Sequence, residues 1–239
     1  MVKIGIINKI KRGLKVFHPT RGSFASCGTT TVIEFPIYIN RPQDVYLEND
    51  LRIRQGTKML ISEDCKVFVK KFSVVGMNNM IIPNKHVSTV GIPQFLLGSS
   101  RINDQIHDII IEEDVWTGSN VTLMGDVTLG RGCICGACSL VTKSVPPYAV
   151  VAGSPAKIIA VKFSIEQIIE HEKILYSENE RLSREYLEEL FNKYYMDKKV
   201  FGVSTEFTEE QVERLKYIAE LRDFSDKEYI DRITKTINK

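Results

Sequence analysis

From Ile111 onward the chain repeats a six-residue pattern: IEEDVW, TGSNVT, LMGDVT, LGRGCI, CGACSL, VTKSVP. The first position holds Ile111, Thr117, Leu123, Leu129, Cys135 and Val141. The fifth holds Val115, Val121, Val127, Cys133, Ser139 and Val145, and the second is glycine at Gly118, Gly130 and Gly136. A strand sends successive side chains to opposite faces. A short strand with a turn every six residues therefore sends the first position to the same side each time. Three such strands close one triangular coil, and six hexads make two coils. Stacked coils pair each strand with the one above at roughly 4.8 Å. The pattern predicts a prism with an aliphatic interior, the fifth position packed near the corners, and glycines that tolerate corner backbone angles. Thr117 interrupts the aliphatic series, and a buried hydroxyl there needs a hydrogen-bond partner.

Upstream the repeat loosens. Leu47, Ile53 and Met59 keep the spacing, whereas Ile61 and Val67 follow in a register shifted by two residues, which predicts a loop or bulge between coils. Thr30–Ile39, rich in β-branched residues, predicts a first strand pair. Residues 83–107 lose the pattern and carry Pro83, Pro93 and Gly98. A loop of that length inside a compact repeat is usually functional. After Lys162 the pattern becomes helical. Capping-box sequences begin at Ser164, Thr208 and Ser225, and Leu182, Tyr186, Leu190 and Tyr194 recur at helical spacing. The predicted organisation is a β-prism domain over residues 1–163, with the excursion at 83–107, and a helical region of three or four helices over 164–239.

Composition narrows the function classes. No run of eighteen apolar residues occurs, so no membrane span is expected. Lys3, Lys9, Lys11 and Arg12 interrupt the apolar N-terminus, unlike a secretion signal. Five cysteines without framework spacing suit a reducing, cytoplasmic setting. Cys133 and Cys135 occupy core positions of the repeat, and the spacing with Cys138 matches no common zinc pattern. The net charge of +2 is uneven: residues 164–239 hold 18 acidic and 13 basic side chains, leaving 12 acidic and 19 basic in 1–163. A basic body suits an anionic ligand such as a phosphorylated cofactor, or reflects scattered surface lysines. No nucleic-acid partner is expected.

The run DVWTGSNV, LGRG and GACSLVTKSVPPYAVVAGSPAKII resembles the hexapeptide-repeat acetyltransferases, in the branch containing xenobiotic, galactoside and polysaccharide O-acetyltransferases. The resemblance is specific over residues 108–161, diffuse over about 30–107, and does not reach the helical region. It implies a mainly β fold, a left-handed parallel β-helix, here with a C-terminal α-helical appendix. Handedness comes from the resemblance, because ordinary parallel crossovers are right-handed. It further implies acetyl-CoA as acyl donor, no metal, and a homotrimer with active sites between neighbouring subunits.

The family keeps a histidine before an extended loop. Here KHVSTVGIPQF supplies His86, followed by Pro93 and Phe95. Transfer to a hydroxyl needs a base for its proton, and imidazole titrates near neutrality. His107, immediately before the regular repeat, is the rival, whereas His18 and His171 read as surface residues outside the repeat body. By resemblance, Ser119 and Ala137 present backbone groups to the pantetheine arm, and Thr142 and Lys143 continue the track. Lys157, in AGSPAK, stands where the family offers a basic residue to the nucleotide phosphates; otherwise it is a solvated lysine. Trp116 reads as outward-facing, either at the acetyl-transfer site or packed at a subunit boundary.

The expected function is acetyl-CoA-dependent O-acetylation of a saccharide hydroxyl, such as a surface polysaccharide or its precursor. Phe95 and Leu96 keep a xenobiotic or antibiotic acceptor open, and a sugar amine is a further alternative. A metalloenzyme on this fold needs three histidines around one zinc, and only His86 and His107 lie in or near the repeat body. A non-catalytic scaffold would leave AGSPAK without a purpose.

Overall fold

Short strands climb three faces of a prism, one strand per face per coil. The structure, a computed structural model, describes residues 17–204 and 207–237; the N-terminal stretch with Lys3, Lys9, Lys11 and Arg12 lies outside them. The first coil is β1 (Ser26–Cys27), β2 (Val32–Ile33) and β3 (Tyr38–Ile39). The second is β4 (Val45–Leu47), β5 (Arg52–Ile53) and β6 (Lys58–Met59). The third is β7 (Val67–Val69), β8 (Val74–Val75) and β9 (Met80–Ile82). The fourth is β10 (Ile109–Ile111), β11 (Trp116–Thr117) and β12 (Thr122–Met124). The fifth is β13 (Val127–Leu129), β14 (Ile134–Cys135) and β15 (Leu140–Val141). Each strand pairs in parallel with its counterpart one coil away, giving three stacked sheets, as expected for a left-handed β-helix. A partial sixth coil follows: Val145 bridges Leu129, and β16 (Ala149–Gly153) pairs with β14. β17 (Ala156–Val161) then turns back antiparallel on β16.

Register explains why only part of the repeat is legible. Ile109 stands beside Val127, a step of 18 residues, where the hexads are unbroken. Leu47 stands beside Val69, a step of 22, because the corner at 60–66 is long. Val67 stands beside Ile109, a step of 42, because the chain leaves the prism for the excursion and returns in register. The shift in the sequence is thus an extended corner, and it adds four residues (22 against 18) rather than the expected two. β2 and β3 are not a strand pair: they lie on different faces and pair with β5 and β6.

All first- and fifth-position side chains of the six hexads are buried, including Thr117. Its hydroxyl accepts hydrogen bonds from the Gly76 N–H, at 3.1 Å, and from the Asn79 side-chain amide; Asn79 Oδ1 in turn accepts from the Val121 N–H at 2.8 Å. The second-position glycines serve close approach rather than unusual angles. A Cβ on Gly118 would lie 2.6 Å from the Ala137 nitrogen, and one on Gly130 2.6 Å from the Pro147 nitrogen. The left-handed corner residue is instead the fourth of the hexad: Asp114, Asn120, Gly132 and Cys138 have φ of 56°, 59°, 70° and 61°. Cys133 and Cys135 are buried in the core, and Cys138 is exposed.

The excursion is not wholly irregular: it contains α1 (Gln94–Ser100), anchored by buried Leu97. Beyond the prism come α2 (Ile165–Leu175), α3 (Arg184–Tyr194), β18 (Lys199–Val200) beside β17, α4 (Glu209–Leu221) and α5 (Tyr229–Ile237). Ser164 and Thr208 form the expected capping boxes. Ser225 does not: its N–H and hydroxyl bind the Asp50 carboxylate, and the helix starts only at Tyr229. On α3 the buried residues are Leu187 and Leu190, while Tyr186 and Tyr194 are 42% and 36% exposed, so only part of the expected stripe faces inward. Ile168, Leu187, Leu190 and Tyr195 join the hydrophobic cluster of the prism itself. No helix among the described residues is long and apolar enough to cross a membrane.

Two carboxylates pin α2 to the prism. Buried Glu172 accepts from the Tyr148 hydroxyl at 2.9 Å and the Leu182 N–H at 2.6 Å, and pairs with Arg131 at 3.4 Å. Burial and the adjacent Glu172 charge both push the Tyr148 phenol pKa up. Asp114 pairs with Lys162 at 2.5 Å and with His171 Nε2 at 3.1 Å. His171 is therefore no surface residue: its ring sits 5.0 Å from that of Phe163, half-buried at this joint, while His18 is exposed.

Replacing Glu172 with Leu should cost about 2–4 kcal/mol in urea unfolding, because Tyr148, Arg131 and the Leu182 N–H lose a buried acceptor. Burial raises the Asp114 pKa, but the His171 hydrogen bond and the Lys162 charge outweigh it and hold the carboxyl below its ordinary value. Its contribution to stability is thus complete above the unfolded pKa of about 3.9 and fades as pH falls through the lower folded value. Asp114→Asn should remove that component of the acid unfolding curve.

Candidate active site

The excursion leaves the prism after β9, at the corner between the third and first sheets, and a small antiparallel bridge closes its base. The Lys85 and Gln105 backbones exchange hydrogen bonds of 2.9 and 3.3 Å. In an antiparallel pair the next residues inward also face each other. His86 therefore meets Asp104, with Nδ1 2.7 Å from Asp104 Oδ1. The Asp104 side chain is 10% exposed and that of His86 41%.

A carboxylate only accepts hydrogen bonds, so the proton of the neutral ring sits on Nδ1 and the Nε2 lone pair is free to accept. The Asn84 amide approaches Nε2 at 3.4 Å. Helix α1 passes on that side: a Cβ added to Gly98 would lie 4.0 Å from Nε2. A side chain that can accept a proton thus stands within reach of solvent, oriented by a mostly buried carboxylate. The loop around it is knitted by polar contacts, Gln94 to Ser88 at 2.8 Å and Asn103 to Thr89 at 3.1 Å, while Phe95 is 91% exposed.

His107 has a looser partner. Its Nδ1 lies 3.8 Å from Asp126 Oδ2, beyond hydrogen-bond reach, and Asp126 is 76% exposed. Trp116 faces out of the second sheet between Val74 and Ile134 and is 52% exposed. Ser119 and Ala137 occupy the corners after β11 and β14, one coil apart, where the Cys138 N–H donates to the Ser119 carbonyl at 2.9 Å. Thr142 and Lys143 leave β15 at the same corner column from which the His86 excursion departs two coils earlier. Lys143 borders a groove of about 640 Å³ that also contains Ala156, Ile158 and Lys193. Lys157 projects from β17, exposed, with its neighbours Ala156 and Ile158 turned the other way. Within one chain these residues therefore fall on several parts of the surface: Trp116, Ser119 and Ala137 on the second sheet and the corner after it, Thr142 and Lys143 at the corner of the excursion, and Lys157 on β17. Asp104 carries no periodic signal, and the bridge between Lys85 and Gln105 brings it to His86, whereas Asn84 adjoins His86 along the chain. Among the described residues no three His, Cys, Asp or Glu side chains gather as a metal site would require.

Residues 108–143 match the family model for the bacterial transferase hexapeptide (six repeats). A probable macrolide acetyltransferase from Lysinibacillus sphaericus is 35% identical over 156 residues, covering 58% of this chain and 85% of that protein. The galactoside O-acetyltransferase of Escherichia coli is 30% identical over 138 residues, covering 57% of this chain and 63% of the relative. Among solved structures, a hexapeptide-repeat containing acetyltransferase from Vibrio cholerae shares the fold, with a TM-score of 0.57 at 21% identity over 64% of this chain and 88% of that one. The chain belongs to the hexapeptide-repeat acetyltransferases and is an acyltransferase.

Long-range ¹H–¹⁵N correlation spectra should show neutral His86 as the Nδ1–H tautomer. Asp104→Ala should mix the tautomers, whereas Asp126→Ala should leave the His86 pattern unchanged.

Proposed function

We propose that the chain transfers the acetyl group of acetyl-CoA to a hydroxyl of a saccharide, with His86 as general base. The observation that carries this reading is the His86–Asp104 pair at the mouth of the excursion. His86 Nε2 takes the acceptor's proton as the hydroxyl oxygen attacks the thioester carbonyl. The tetrahedral intermediate then expels the CoA thiolate, and the imidazolium returns a proton to that sulfur. Asp104 acts as a positioning residue, holding Nδ1–H so that Nε2 faces the acceptor. Ser119, Ala137, Thr142 and Lys143 border the donor, with Lys157 toward its phosphates and Trp116 beside the transfer site.

Because these groups are dispersed in one chain, the complete site needs a neighbouring subunit. The first and third sheets carry outward apolar side chains suited to such packing: Tyr46 and Phe68 stack at 4.7 Å, and Met124 is 41% exposed. We read the assembly as a homotrimer of about 82 kDa, three chains of 27.2 kDa. The hydroxyl and amide groups of Ser88, Thr89, Gln94 and Asn103 favour a sugar, in line with the galactoside O-acetyltransferase relative. Exposed Phe95 and Leu96, with the macrolide-directed relative, support an antibiotic acceptor as the second reading.

Thiol release from acetyl-CoA should be stimulated by galactosides or other saccharides; stimulation by a macrolide alone would select the second reading. His86→Ala should keep CoA binding and lower turnover by about 10²–10⁴-fold. Asp104→Ala should lower kcat by about 10–100-fold at similar KM, and His107→Ala should do much less. A chain that sediments as a stable monomer while remaining active would overturn the shared site.

A further inference from the structure

We propose that the cleft between the outer face of the second sheet and helices α2, α4 and α5 binds a small apolar ring compound carrying one oxyanion, at a site away from the His86 loop. The cleft encloses about 370 Å³. Its apolar walls are Val32 and Val74 on the sheet, Leu215 and Ile218 on α4, and the rings of Phe72 and Phe224, whose centroids are 5.6 Å apart. That lining suits a ring system rather than a sugar, whose hydroxyls would lose hydration without gaining partners.

The charges around the cleft choose the sign of the ligand. Four charged residues line it: Arg52, Arg222, Asp50 and Asp114. The two carboxylates are already engaged, Asp50 by the Ser225 N–H and hydroxyl and Asp114 by Lys162 and His171. The two guanidiniums are less fully engaged. Arg52 Nε is sealed from solvent without a hydrogen-bond partner. The nearest carboxylate, Glu34, stands 3.6 Å from it and is held at 3.1 Å by Arg54. Arg222 forms no ion pair among the described residues. Arg52 and Arg54 thus share one carboxylate and Arg222 has none, so guanidinium charge at the cleft exceeds the carboxylates that answer it and favours an oxyanion there. Burial first, and then the facing Arg222 charge, lower the Arg52 pKa, which an oxyanion between the two would relieve.

The site is separate from the His86 loop. That loop leaves the corner between the third and first sheets, whereas the cleft lies over β2, β5 and β8 of the second. Its roof is the helical appendix, so a ligand here would bridge prism and helices.

The probe for this site is 8-anilinonaphthalene-1-sulfonate, a ring compound with one oxyanion, titrated into the full chain by fluorescence. Its uncharged counterpart, N-phenyl-1-naphthylamine, reports the contribution of the charge. We expect one saturable site for the sulfonate and at least tenfold weaker binding of the uncharged compound. Arg52→Gln and Arg222→Gln should each weaken sulfonate binding several-fold, and Ala219→Trp, which fills the roof, should abolish it. Arg222 is exposed, so its variant keeps the fold even if the tryptophan variant does not, and circular dichroism checks each. Unchanged sulfonate binding in the folded arginine variants, or equal binding of the uncharged probe, would overturn the proposal.

Discussion

The backbone hydrogen bonds between successive coils are the constraint on which the rest depends. Each strand is only two or three residues long over most of the prism, too short to hold itself. It persists because the coils above and below supply its donors and acceptors, and because every return brings an inward side chain onto the last one. That requirement tolerates length at the corners but not slippage along a strand, since a shift of one residue would turn the interior outward. Steps of 18, 22 and 42 residues all preserve the register. The excursion that bears His86 exists because the ladder closes behind it.

The same economy shapes the interior. Thr117 is tolerated in an aliphatic column because Gly76 and Asn79, one coil away, donate to it. Close stacking forbids a side chain at Gly118 and Gly130, while the corner turns use Asp114, Asn120, Gly132 and Cys138. Asp114 is both a corner and an anchor, joined to Lys162 and His171. Thus the residue that turns the chain before Trp116 also ties down α2. The opposite charge balances of prism and helices meet in the contact of Arg131 with buried Glu172, where they count for more than in exposed pairs.

The geometry around His86 is set by a two-residue bridge. Without the Lys85–Gln105 pairing, His86 would be a loop histidine with no defined tautomer. With it, Asp104 orients the ring and the Nε2 lone pair is presented beside α1. Helix α1 is held by a single buried residue, Leu97, whereas Phe95 and Leu96 remain outside. The candidate site therefore has an oriented histidine at its base and exposed apolar side chains at its rim.

The amino-acid sequence by itself determined the prism, its inward column and two of the helix starts, because these follow from local periodicity and capping chemistry. Ile111, Leu123 and Val141 are inward for reasons visible within six residues of each, and Ser164 caps its helix with a glutamine three residues on. His86 stood out as the loop histidine, but its partner did not. Asp104 is 18 residues away, and nothing in the spacing of an irregular loop encodes which positions will face each other. The same holds for Asn79 beneath Thr117, Glu172 beneath Tyr148, and Ser225, which left its expected capping role for Asp50. Only the tertiary structure decided these pairings, because a buried polar group takes whatever partner packing brings within 3 Å, at any separation along the chain.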